Sequence, residues 1–164
     1  MDRERLASAI RRASFCLGPV KETIPSFIAS NPSPIAFVSF DLDLYSSTRD
    51  ALTLFHADYK HLPPRVISYF DDIFGYTYND FCGERFAIRE FNEYNDKRKI
   101  CPLYGLRYFI PHSAFSELWP DGIYFAHFFE HPLYGKLDSV YKPVVVDVDG
   151  TLFWKSGPPR RRAA

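Results

Sequence analysis

Cysteine is scarce in this 164-residue chain: Cys16, Cys82 and Cys101 lie far apart and form no C-x-x-C spacing. That excludes a disulfide framework, and an odd count of scattered thiols fits a reducing compartment, with the three as small core residues. Net charge is absent too, with 20 basic residues against 20 acidic ones, so nothing global points to nucleic acid or an anionic membrane. No apolar run approaches the roughly 20 residues that span a bilayer. The opening MDRERLASAIRRASF mixes both charge signs and lacks an apolar stretch, so it is no signal peptide. The reading is a cytoplasmic protein with no membrane and no nucleic-acid partner. Its one basic block, Arg160, Arg161 and Arg162 after Pro158 and Pro159, predicts a disordered, solvated tail over 158–164.

What is present is apolar and aromatic. Hydrophobic residues make up 46% and aromatics 18%, enough for one domain with a bulky core over 1–157. Leu6 and Ile10 predict a short amphipathic helix over 1–12. Residues 15–17 read as a brief strand stopped by Gly18-Pro19. KETIPSFIAS then reads as a helix with Ile24, Phe27 and Ile28 on one side, broken by N-P-S-P at 31–34. Residues 35–40 are an apolar run broken only by Ser39, the pattern of a strand buried on both faces of a parallel sheet.

A helix follows, with Ser47 and Asp50 as a capping-box pair and Leu52, Phe55, Tyr59 and Leu62 at helical spacing, up to Pro63-Pro64. Residues 66–70 predict the next strand, and 83–97 a helix burying Ala87, Phe91 and Tyr94. Strand–helix–strand–helix argues α/β with a mostly parallel sheet. Residues 106–110, 123–129 and 144–148 read as further strands. Asp149-Gly150 signals a turn, with 151–155 returning antiparallel as the sheet's C-terminal edge.

Both central strands end in carboxylates. Asp41 and Asp43 close the first, in FDLDLYSST, and Asp71 and Asp72 close the second, in RVISYFDD. Ligands of open α/β sheets bind beyond the carboxyl ends of the strands, and strands joined by one crossover are usually neighbours. Four anions would therefore gather at one rim and raise each other's pKa values unless a cation joins them. Oxygen-only ligands favour Mg²⁺ or Mn²⁺. The bland alternative is that these aspartates are helix caps and solvated strand ends.

In order, FVSFDLDLYSSTRDAL, RVISYFDD and GERFAIREFNE, with LGPVKETIP upstream and FWK downstream, resemble the metal-dependent class I S-adenosylmethionine O-methyltransferases of the macrocin O-methyltransferase type. The resemblance runs from Leu17 to Lys155. It implies Asp41, Asp71 and Asp72 as Mg²⁺ ligands, with Asp43 and Tyr45 lining the same rim beside Asp41 for the cofactor S-adenosylmethionine. It implies methyl transfer to a hydroxyl of a small-molecule acceptor, a sugar or a phenol; no general base is matched. The family's glycine-rich turn after its first strand has no counterpart here. The resemblance therefore implies a partial Rossmann-like methyltransferase sheet: a single truncated domain holding mostly strands 4-5-7-6 of an order 3-2-1-4-5-7-6. Such a domain could be inactive alone, and strand 35–40 would be an apolar edge open to self-association.

Three other patterns compete. VVVDVDGTL matches the nucleophile strand of haloacid-dehalogenase-like phosphatases, which need a long downstream region. HFFEH matches a zinc-protease pattern that needs a helix, whereas its flanks predict a strand running into a loop. An apolar strand ending in D-x-D also resembles nucleotide-sugar glycosyltransferases, which leaves the second D-D unexplained. A non-catalytic remnant or interaction module is the remaining alternative.

Overall fold

A computed structural model of the chain describes residues 5, 8, 10, 13–74, 79–111 and 116–136, and the backbone of 144–146 and 152–154. Helix α1 (Val20–Ala29) starts directly after Pro19 and carries Glu22 in its first turn, where the helix dipole favours an acid. Asn31, at φ 57°, turns the chain out of it. Strand β1 (Phe37–Phe40) leads into α2 (Tyr45–Leu52), extended by a 3₁₀ turn at Thr53–His56. Then come β2 (Arg65–Phe70), α3 (Gly83–Tyr94) and β3 (Arg98–Pro102). Two 3₁₀ turns, Leu106–Phe109 and Trp119–Gly122, precede β4 (Ile123–Phe128). Strands β5 (Val144–Val146) and β6 (Leu152–Trp154) form a separate antiparallel ribbon.

The main sheet is open and mixed, in the order β1-β2-β4-β3. Only β1 and β2 are parallel; β4 lies between β2 and β3 and runs antiparallel to both. The protein is thus α/β, but the expectation of a mostly parallel sheet with an antiparallel C-terminal edge needs correcting. The antiparallel strand is internal, and the C-terminal pair stands apart.

Alternation along the strands builds the core. Val66, Ser68 and Phe70 of β2 and Tyr124, Ala126 and Phe128 of β4 are buried. They meet Ala51, Leu52 and Phe55 from α2 and its 3₁₀ extension, and Ala87, Ile88 and Phe91 from α3. Phe55 sits at the centre, fully buried, with edge contacts to Phe40, Phe91 and Phe128. Each such side chain contributes roughly 1.5–3 kcal/mol by leaving water.

The opposite face carries one lateral row, Phe37, Ile67, Phe125 and Cys101, in register across all four strands. Phe37 is 56% exposed. Residues 35–40 are therefore an edge strand buried on one face, not a strand buried on both.

Several local expectations also shift. Residues 15–17 join no ladder. Helix α2 begins at Tyr45 with Leu44 at its N-cap, so Ser47 lies inside the first turn and makes no cap. Its α-helical part ends at Leu52 rather than running to Leu62. Tyr94 faces solvent at 80% exposure.

The strand expected at 106–110 is a 3₁₀ turn after Gly105, whose φ is 83°; β3 lies at Arg98–Pro102 instead. The sequence RKICP shows no apolar alternation. Its place is held by Asn92, whose side-chain amide accepts from Ile100 N–H (2.7 Å) and donates to Ile100 C=O (2.8 Å). Arg98 adds bonds to Glu130 and to the Phe55 and Ala57 carbonyls. Pro102 is tolerated because β3 is an edge. Of the helix expected over 1–12 only Arg5, Ser8 and Ile10 are described, the first two helical; the Asp149-Gly150 turn and the tail at 158–164 lie outside the described residues.

Candidate functional site

The parallel ladder delivers both acidic tips to one end of the sheet. Phe40 pairs with Phe70, and Asp71 N–H then donates to Phe40 C=O at 3.0 Å, so Asp41 and Asp71 leave the sheet side by side. Beyond Asp41 the chain tightens. Leu44 N–H donates to Leu42 C=O across Asp43, which adopts φ 49°. This is a γ-type turn with a non-glycine residue in the left-handed region.

A chain of hydrogen bonds then links the rim. Asp43 N–H donates to Asp72 Oδ2 (2.9 Å), Asp72 N–H donates to Glu84 Oε2 (3.0 Å), and Tyr69 O–H donates to Asp71 Oδ1 (2.7 Å). Of the predicted residues, Asp41, Asp43, Asp71 and Asp72 come together. Tyr45 is engaged elsewhere: its hydroxyl donates to Glu90 on α3 (2.7 Å), and its ring stacks on Phe86.

Glu84 is the residue that sequence reasoning passed over. It stands in the first turn of α3, after Gly83 at φ 57°. Its signal is weak, because an acid in a first helical turn ordinarily serves the dipole. Here it is fully buried. Oε2 holds the Asp72 amide, while Oε1 has no partner among the described residues.

The electrostatics follow from this shared rim. Burial first, then repulsion from Asp72, Asp71 and Asp41, pushes the Glu84 carboxyl up to about 8, against the lowering effect of the Asp72 amide. Asp43 is raised chiefly by the Asp72 charge, then by its bond to Asp72, by partial desolvation and by Asp41. Tyr69 is pushed up to about 12, first by its bond to Asp71. All-oxygen donors that repel one another, with a buried carboxylate oxygen lacking a partner, suit a hard cation chemically. Their orientation is another matter. Among the described residues no three His, Cys, Asp or Glu side chains converge as a ligand group, because Asp72 faces the Asp43 amide and Asp71 faces Tyr69.

The HFFEH histidines serve other ends. His127 lies on β4, with Nδ1 on Tyr134 Oη (2.9 Å) and Nε2 on Cys101 Sγ (3.4 Å). Burial holds its imidazole below the ordinary value and the thiol above, which favours a neutral pair. His131 is buried and accepts from Leu133 N–H. The strand running into a turn is as expected, and a zinc helix is not formed. Among the described residues no helix is long and apolar enough to cross a membrane. Set beside known proteins, the chain matches no family model, no curated protein and no solved structure.

Proposed function

We propose that this chain carries the acidic rim of an S-adenosylmethionine-dependent O-methyltransferase, with Mg²⁺ as the assisting ion and a small-molecule hydroxyl as acceptor. The observation that carries the reading is that Asp41, Asp43, Asp71, Asp72 and buried Glu84 neighbour one another at the carboxyl ends of one parallel strand pair, although their side chains are not turned together as a ligand group. The strand order supports it: β1-β2-β4-β3, with an internal antiparallel strand, is the arrangement that strands 4-5-7-6 of such a Rossmann-like sheet would take.

Asp41, Asp71 and Asp72 would hold the ion and Asp43 would border the cofactor side, while Tyr45 packs against α3. A bound Mg²⁺ supplies charge that lowers the pKa of an acceptor hydroxyl. The protein's own part is positional. The β1–β2 ladder fixes the spacing of Asp41 and Asp71, and Glu84 anchors the Asp72 backbone from beneath. Seating the ion requires Asp71 and Asp72 to exchange their present hydrogen bonds for it.

Thermal unfolding against Mg²⁺ tests this. At about a hundred times its Kd an ion stabilises by about 2.7 kcal/mol, or roughly 5–10 °C for a chain of this size. The rise should vanish in Asp71→Asn with Asp72→Asn, whose ion-free stability should itself increase as repulsion is relieved. An unchanged Mg²⁺ response in that variant overturns the reading. Titration with S-adenosylhomocysteine should give only weak binding, because no glycine-rich turn matches; low-micromolar affinity would contradict that.

A second reading, an interaction module, draws on the exposed β1 edge and Phe37. It predicts concentration-dependent association and no Mg²⁺ response.

A further inference from the structure

The acidic rim does not end at the aspartates. Tyr69 of β2 pairs with Ile123 at the start of β4, and Tyr124 pairs with Pro102 at the end of β3. The loops after β2 and β3 and the turn before β4 therefore meet at the same end of the sheet as Asp41 and Asp71. A cavity of about 580 Å³ opens among them. Its inner wall includes Phe74, two residues beyond Asp72, and the buried Tyr124. Its outer wall includes Tyr104 and Tyr108, 83% and 87% exposed.

The charged side chains of this wall are already engaged with charges of opposite sign. Arg107 Nε lies 3.0 Å from both carboxylate oxygens of Asp121, and Arg85 pairs with Asp80 at 2.7 Å. What the wall offers an incoming molecule is therefore mostly ring faces and aliphatic surface, with the phenol oxygens of Tyr104, Tyr108 and Tyr124 at their edges. A sugar brings several hydroxyls, each of which needs a partner when it leaves water; an unpaired one costs about 1–3 kcal/mol. A flat aromatic ring needs none and gains stacking and burial against tyrosines. The volume falls in the range of about 300–1,000 Å³ typical of small-molecule sites, enough for one or two fused rings.

We propose that this cavity binds a planar aromatic hydroxyl compound, clasped between Tyr104 and Tyr108 at the mouth and Phe74 and Tyr124 within. Its hydroxyl would point along the rim toward Asp71 and Asp72. The role of that compound as methyl acceptor rests on the function proposed above; the binding site itself does not.

The test uses 2-naphthol as probe, titrated into the full chain without metal or cofactor and followed by its own fluorescence. Methyl α-glucoside serves as the comparison. The expected result is saturable naphthol binding, at least tenfold weaker in Tyr104→Ala with Tyr108→Ala and within twofold of wild type in Tyr94→Ala, which removes an equally exposed tyrosine outside the cavity. The glucoside should show no saturation. Both tyrosines are largely exposed, so the variant should keep its circular dichroism. Should it fail to fold, intermolecular nuclear Overhauser effects between naphthol and the Tyr104 and Tyr108 rings of the wild type decide the matter. No saturable naphthol binding, equal affinity in the tyrosine variant, absent ring contacts, or tighter binding of the glucoside would each overturn the proposal. Because no metal is present, failure here strikes the aromatic site alone, whereas the Mg²⁺ experiment strikes the methyl-transfer reading alone.

Discussion

Replacing Glu84 by glutamine should change how stability depends on pH, and the direction can be worked out in advance. In the folded protein the Glu84 carboxyl titrates at about 8 instead of 4.5. A folded value above the unfolded one means that the native state holds the proton more tightly. The stabilisation is complete below about pH 4.5 and is lost as pH rises through about 8. At about 1.36 kcal/mol per pH unit, ionising the buried carboxyl withdraws on the order of 4 kcal/mol of stability across that window. Glu84→Gln removes the titration. The amide oxygen can still accept from Asp72 N–H, and the new NH₂ takes the place of the partnerless Oε1.

Wild type and variant should therefore be nearly equal at pH 5. The variant should lead by on the order of 4 kcal/mol at pH 8 and above, or roughly 8–16 °C in melting temperature. Urea unfolding in chelator at pH 5, 6.5 and 8 measures the gap. The difference between the two proteins is the informative quantity, because His56 and His127 add an opposite trend to both. Burial holds each imidazole below its ordinary value, so each weakens the fold as pH falls below about 6.5. A gap that does not change with pH would refute the burial of the Glu84 carboxyl at this rim.

Three further outcomes follow from the packing. Gly122→Ala places a Cβ 2.6 Å from the Tyr69 ring and 2.9 Å from the Phe70 carbonyl oxygen. The backbone oxygen cannot yield, so thermal unfolding should show a loss of about 1–3 kcal/mol, with the Tyr69 phenol shifting in ultraviolet titration as its bond to Asp71 is disturbed. Phe55→Ala empties the centre of the core and should cost about 3–5 kcal/mol in urea unfolding; a loss below about 1 kcal/mol would show that the site collapses to fill the space. Phe37→Lys places a charge on the exposed edge strand. On the interaction-module reading, sedimentation should show less association than wild type, and on either reading stability should be unchanged within about 0.5 kcal/mol.

Where local pattern is strong, the reading from residues held. The runs ending in Asp41 and Asp71 had apolar continuity, and α3 had helical spacing; both are properties of a few neighbouring residues. The reading failed where stability comes from distant partners. Residues 98–102 are a strand because Asn92 satisfies Ile100 and Arg98 reaches Phe55, Ala57 and Glu130. None of these contacts leaves a periodic trace. Residues 106–110 look apolar enough for a strand, but Gly105 turns them into a 3₁₀ segment. Tyr94 keeps helical spacing, yet it falls where nothing covers it.

By itself the amino-acid sequence determined that two apolar strands end in paired aspartates, because apolar continuity and acidic tips are written in consecutive residues. Only the tertiary structure decided that β4 lies inside the sheet, that helices leave Phe37 bare, and that Glu84 is buried beneath Asp72. Those outcomes depend on which surfaces meet, and burial is a property of the partner as much as of the residue.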